Sequence, residues 1–367
     1  MEAVMRTPAV GLYIIFRCFS FLLILVVLLL PACDDPATEA PPVDSGPDTT
    51  SHDFVWEEII MGGRTGKVDD ISALSPDDVW IVGHLINTEQ NHIRSIRSGM
   101  HWDGTAWRFF NVPSKWPTDT VTYVTTVHAI SKNNVWFIAG QLIQWNGKSY
   151  IQHEETHDLI AWIRIWEMWG DEKRLYIVGG AGILNEPGSI LHYDYSALSR
   201  ITVPGLQTGV NDVWGVGDTA ICVASEWDST STGTRVIRLI GRTATDAYSN
   251  EVPSSGKSIW FMNTSRMYMT ANNCKTWNGT AWKRFPKPPE SFGFKMKVRG
   301  SGYNNILMVG HYGHVLHFNG ADWKIVNMPR PSEEYYFIDC VVFPDDLFIL
   351  GYRGSYPVVM HGRRVIR

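Results

Sequence analysis

The sequence predicts an all-β protein, a seven-bladed β-propeller of four-stranded antiparallel blades, placed after a signal peptide and a disordered tether. Three observations carry this. A seven-residue phrase with an aromatic or aliphatic centre recurs seven times. A second phrase, spelled HWDGTAW at 101–107 and TWNGTAW at 276–282, follows most copies. The stretches between turn residues are short and rich in Trp, Val, Ile, Tyr and Phe, which suit a pleated, half-buried surface.

In chain order, the N-terminus comes first. Arg6 and Arg17 form a basic region, and CFSFLLILVVLLL (18–30) is an uncharged apolar run. Leu30-Pro31-Ala32-Cys33 closes it. This resembles the lipobox of bacterial lipoproteins, with Leu30 at −3 and small Ala32 at −1. The resemblance implies cleavage of residues 1–32 and lipid attachment at Cys33 through diacylglycerol and palmitate. An uncleaved anchor over residues 8–32 is the competing reading, and Arg17 interrupts it. Residues 33–53 then form an acidic, Pro-rich tether without aromatics, a composition unable to bury enough surface to offset its ordering entropy.

Residues 54–367 hold the repeats. The first phrase reads DDVWIVG (77–83), NNVWFIA (133–139), KRLYIVG (173–179), DTAICVA (218–224), SRMYMTA (265–271), NNILMVG (304–310) and DDLFILG (345–351). Its centres are Trp80, Trp136, Tyr176, Ile221, Tyr268, Leu307 and Phe348. The second phrase follows as MHWDGTAW, IQWNGKSY, TWNGTAW and LHFNGADW, with LHYDYSAL (191–198) in blade three and VMHGRRV (359–365) in blade seven. A third stretch precedes each copy of the first phrase. Asp-Gly and Asn-Gly between third and fourth strands predict type I′ turns, in which both central residues take positive φ. Repeats of about 40–45 residues with four strands apiece read as propeller blades. Either FVWEEII (54–60) or RRVIR (363–367) supplies the outer strand that closes the ring.

These phrases resemble a group of secreted bacterial propellers carrying DVWxVG and HWDGxxW, distantly similar to photosystem II assembly-factor propellers and to sialidase Asp-box propellers. An Asp box needs one residue between its Asp and Gly. Here they are adjacent, so no sialidase residue is carried over.

Charge excludes one function class. The formal net charge of −5 sits in the first 53 residues: +1 over 1–33 and −6 over 34–53. The neutral remainder lacks the basic balance expected of a nucleic-acid binder. Cys222, Cys274 and Cys340 have no metal-type spacing and read as small buried apolar residues.

His153-Glu154-Glu155-Thr156-His157 matches H-E-x-x-H, which in zinc peptidases sits on a helix. Here it follows a fourth strand and precedes IRIWEMWG, so it reads as a solvated inter-blade loop. His311, His314 and His317 suggest a metal cluster, yet His317 holds the place of His101 and His192 in the repeat. No metal, cofactor or catalytic set is expected.

Two regions are candidate sites. First strands line the channel, where Glu167, Asp212, Lys297 and Asp339 occupy equivalent positions, and Lys295, Lys297 and Arg299 alternate along one strand face. These charges either pair with one another or line a wet channel open to an anion. Loops carry propeller function more often than strands. The segments 84–99, 111–123, 152–162, 180–189 and 225–234 read as long connections on one rim, with Trp116, Tyr123, Trp162 and Trp227 in them. The expected function is a non-enzymatic scaffold for a protein or glycan partner, lipid-anchored in a bacterial envelope. The alternative is an envelope hydrolase or lyase at the channel mouth. An enzyme predicts three or more carboxylates or histidines converging at a channel mouth, whereas a scaffold predicts a broad rim of exposed aromatics without that convergence.

Overall fold

A computed structural model describes residues 49–365 apart from 89–93, 114–122, 181–187, 207, 228–231, 272–273, 285–294 and 331. Cys33, the apolar run and Trp116 lie outside the described residues. The described residues form seven four-stranded antiparallel sheets. Six take their strands in sequence order; the seventh joins the two ends of the chain. The first strands are Lys67–Ser75, Thr126–Ser131, Arg164–Asp171, Val210–Val216, Ser258–Asn263, Lys295–Gly302 and Tyr335–Val342, in blades one to seven. Each neighbours the first strands on both sides, and the first and last also meet. The ring is therefore closed.

Phe54–Ile60 supplies the closing strand. It pairs antiparallel with Tyr356–Arg364, Trp56 opposite Gly362. Arg363 and Arg364 belong to that third strand, so the C-terminal residues are not the outer strand.

Seven apolar cores fill the seven interfaces between adjacent blades. Between blades one and two, for example, Trp80, Val82, Val127, Val135, Phe137 and Ile143 pack together. Trp277 and Trp282 fill the interface of blades four and five, on third and fourth strands respectively. A fully buried Trp removes about 150–250 Å² from water, a gross gain of about 4–6 kcal/mol before entropy. Every blade needs two neighbours to cover both its faces.

Polar letters in the two phrases also have structural work. Asp78 accepts from the Trp80 indole at 2.8 Å and bonds His101 Nε2 at 2.8 Å, while Trp80 and His101 stack at 3.8 Å. Asn134 accepts from Trp136 and Gln144 in blade two. Asn305 with His317, and Asp346 with His361, repeat the bond in blades six and seven. His317 is thus a blade residue, as its register implied. His311 instead packs against the Tyr336 ring at 4.2 Å.

The turns differ from expectation. Gly104, Gly147, Gly279 and Gly320 have positive φ, but Asp103, Asn146, Asn278 and Asn319 do not, so these are not type I′ turns. Trp102 pairs with Trp107, leaving a four-residue connection. The Asp103 carboxylate accepts the N–H groups of Thr105 and Ala106 at 3.0 and 2.9 Å. Asn146, Asn278 and Asn319 do the same two and three residues on. This side-chain turn removes the need for a second positive φ.

Two expected loops are largely strand. Asp78–Thr88 and Arg94–Trp102 extend through much of 84–99, and Thr219–Trp227 and Thr232–Ile240 through much of 225–234. Trp227 therefore sits at a strand end opposite Thr232, not in a loop. Residues 49–53, whose composition matches the tether, are held against blade six. Thr50 bonds Asn319 and Asn304, and His52 bonds Asp322 and His317. The cysteines Cys222, Cys274 and Cys340 are free and buried.

Candidate functional site

The channel is built by register. Taking the residue opposite the position two beyond each phrase centre, pairing gives Asp70 with Val82, Thr126 with Ile138, Glu167 with Val178, Asp212 with Val223, Ser258 with Thr270, Lys297 with Val309 and Asp339 with Leu350. These seven polar residues form one ring, and every one is at most 8% exposed. In five blades a β-bulge precedes the ring residue. In the other two, Thr125 and Lys257 donate to the same partner residues, Ile138 and Thr270. Such bulges re-aim a side chain at a strand end.

The structure brings Glu167, Asp212, Lys297, Arg299 and Asp339 together. Lys297 contacts Glu167 directly and lies 3.2 Å from Asp339 and 3.6 Å from Asp212. Arg299 forks onto Asp212 at 3.1 and 3.2 Å and stacks over Trp214 at 4.8 Å. Ser258 donates to Asp212 at 2.6 Å. Pairing, not a free anion site, is what these cations do. Lys295 opens the strand opposite Gly310, and a bulge breaks the alternation between it and Lys297. Its side chain lies outside the described residues.

Asp70, Thr126 and Ser258 complete the ring and were not picked out from the sequence. Their signal was the register of the DVW phrase, which places all seven. Asp70 accepts N–H groups from Ile71 and Val127, both at 2.8 Å. The Thr126 hydroxyl is fully buried and makes no hydrogen bond with a described residue.

Electrostatics follow from crowding. Burial pushes the Glu167 carboxyl up to about 7, against the pull of Lys297. Burial, then the charges of Glu167 and Asp339, raise Asp70 well above the ordinary carboxylate range. Burial would raise Asp212 too, but Arg299 and Lys297 hold it at about 2. Burial works against both cations, and the surrounding carboxylates overcome it, raising Lys297 and Arg299 above their ordinary values.

A cavity of about 260 Å³ opens onto this ring. Glu167, Asp339, Arg299, His128, Trp169 and Trp214 are among the residues lining it. Burial lowers the His128 imidazole to about 4, and its Nε2 bonds the Gly170 carbonyl at 3.0 Å. Three carboxylates do converge, then, but inside the channel and against two cations.

H-E-x-x-H is divided between elements. His153 ends a strand (Tyr150–His153) and His157 begins a single helical turn. His153 is engaged by Tyr193 and Glu155, and the Thr156 hydroxyl accepts from the Leu142 N–H of the neighbouring strand and donates to the His153 carbonyl.

The rim carrying blade-to-blade and second-to-third-strand connections has a distinct surface. Among the described residues, five aromatics are exposed: Tyr123, Trp162, Trp166, Tyr312 and Tyr336. All five lie in or beside those connections. They run along an arc from blade six through blade seven to blade three. Trp162 and Tyr312 are 57% and 60% exposed. The opposite rim exposes only aliphatic side chains and Met among the described large apolar residues: Val216, Ile240 and Met262.

No family model and no curated protein matches the sequence. Solved structures do. The chain is similar to YCF48 bound to a D1 peptide, with 16% identity and a TM-score of 0.57, covering 87% of this chain and 100% of that one. It is similar to the WD40 propeller domain of Doa1, at 9% identity and TM-score 0.57, covering 85% and 98%. A catalytically inactive virginiamycin B lyase from Staphylococcus aureus, solved with quinupristin, gives 10% and 0.57, covering 86% and 100%. At these identities the likeness establishes the propeller fold.

Proposed function

We propose that this propeller is a binding scaffold that docks a protein partner on its aromatic rim, while lipid on Cys33 holds it to a bacterial envelope membrane. The observation that carries the reading is the placement of the five exposed aromatics on one rim. Exposed Trp and Tyr supply large contact area at little entropic cost, and they are enriched where partners bind. Tyr123 and Trp162 are the members of the rim set expected from the sequence whose side chains are described. The peptide seen on YCF48, a propeller of similar fold, accords with a protein partner.

A photo-crosslinking residue placed at Trp162 or Tyr336 tests this in the native envelope. Discrete protein adducts from these sites, and none from Met262 on the opposite rim, are expected. Adducts from Met262 alone would contradict the reading, and glycan adducts from the rim would replace protein by glycan.

A hydrolase or lyase remains the second reading, favoured by the convergence of Asp70, Glu167 and Asp339 below an open cavity. Against it, Glu167 and Asp339 are engaged by Lys297. Turnover of an envelope substrate that is lost in Glu167→Gln, with rim adducts unchanged, would establish the enzyme.

A further inference from the structure

We propose that the channel ring is a site for a hard divalent cation of the Ca²⁺ or Mg²⁺ type, held by Asp70, Glu167, Asp339 and the hydroxyl of Thr126. The three carboxylates place oxygens within 4.8 Å of one another, and all three residues are buried. They come from blades one, three and seven. Blade two, between the first pair, contributes Thr126 at the same level of the ring. Its hydroxyl is fully buried without a hydrogen-bond partner among the described residues. Leaving such a group unsatisfied is costly, and a cation bound beside it would satisfy the oxygen.

The charge balance points the same way. Four ring carboxylates face two cations. Arg299 forks onto Asp212. Lys297 contacts Glu167 and Asp339, Arg299 also reaches Glu167 at 3.5 Å, and Asp70 makes no ion pair with a described residue. Counted with all four carboxylates ionised, the ring is short by two positive charges, which one divalent ion would supply. Every donor in the set is oxygen, which selects hard cations over zinc or copper. Glu167 and Asp339 line the cavity, so water and ions have a route to them. The Lys297 ammonium shares two of the same carboxylates, so it competes with the metal and sets the affinity.

The test uses the full chain in detergent, stripped with chelator. Titration calorimetry with CaCl₂ and with MgCl₂ reads stoichiometry. Tb³⁺ luminescence excited through tryptophan reads proximity, since Trp169 and Trp214 line the cavity. One equivalent is expected for Ca²⁺ or Mg²⁺, with a higher Tm on binding. Asp70→Asn and the near-isosteric Thr126→Val each weaken binding by about tenfold or more, the loss seen when a supporting group at a metal site is removed. Lys297→Met tightens it. Should Asp70→Asn fail to fold, Thr126→Val decides alone. A flat wild-type titration with both salts, or an isotherm unchanged in the folded ligand variants, overturns the site.

Discussion

Truncating Lys297 leaves Glu167 and Asp339 buried without their shared ammonium. Breaking a buried ion pair from one side costs about 3–5 kcal/mol, so Lys297→Ala is expected to lose that much in urea unfolding. A loss below 1 kcal/mol (order of magnitude) would show the pairing to be energetically idle. His317 gives a second residue-level expectation. Burial, then Arg364 and His52, depress its imidazole to about 2. An unfolded chain protonates a histidine near pH 6.5, roughly. Below that pH the unfolded state binds the extra proton, so this contribution is full above about 6.5 and falls by up to about 1.4 kcal/mol per pH unit on acidification. His317→Gln should flatten the loss of stability between neutral and mildly acid pH. Charged ring residues were legible in the repeats because charge in a strand stands out. Thr126 and Ser258 were not, since small polar residues are ordinary in strands. Asp70 was obscured by its neighbour Asp69 and by the bulge that decides which of the two enters the channel.

At the scale of the element, the Asx turn is the unit that repeats. Asp103→Ala removes the acceptor for two backbone N–H groups and should cost about 1–3 kcal/mol. Gly104→Ala forces a side chain into φ +84°, at about 1–2 kcal/mol. Both are read by thermal unfolding; a type I′ turn would instead tolerate Asp103→Gly with no loss. The Asp-Gly and Asn-Gly letters located four such hairpins but not their geometry, because loop length is set by pairing of the flanking residues, Trp102 with Trp107; a fifth, in blade three, uses Asp194 followed by Tyr195 and carries neither pair of letters. The second-to-third-strand hairpins of blades one and four run past the blade for a similar reason. Their Thr-, Ile- and Arg-rich ends continue the ladder, as Ile86 with Ile96 and Ser225 with Thr234 show, where sequence periodicity suggested loop.

For the whole molecule, the recurring phrases located all seven blades, since only burial on both faces explains so many large apolar residues in short strands. The phrases could not choose the closing strand; both ends of the repeat region offered a short segment with apolar residues. Pairing of Phe54–Ile60 with Tyr356–Arg364 makes the choice. Envelope attachment is tested separately: labelled palmitate should enter the chain and be lost in Cys33→Ser, and label retained in that variant would refute the anchor. Ring, cavity and rim all depend on closure, because each places residues from non-adjacent parts of the chain around one axis. Urea unfolding of the full chain, beside a variant lacking residues 54–60, tests closure directly. A single cooperative transition that shifts to much lower urea in the variant is the expected result. An unchanged midpoint would mean that the ends of the chain do not join, and that the channel is not a closed ring.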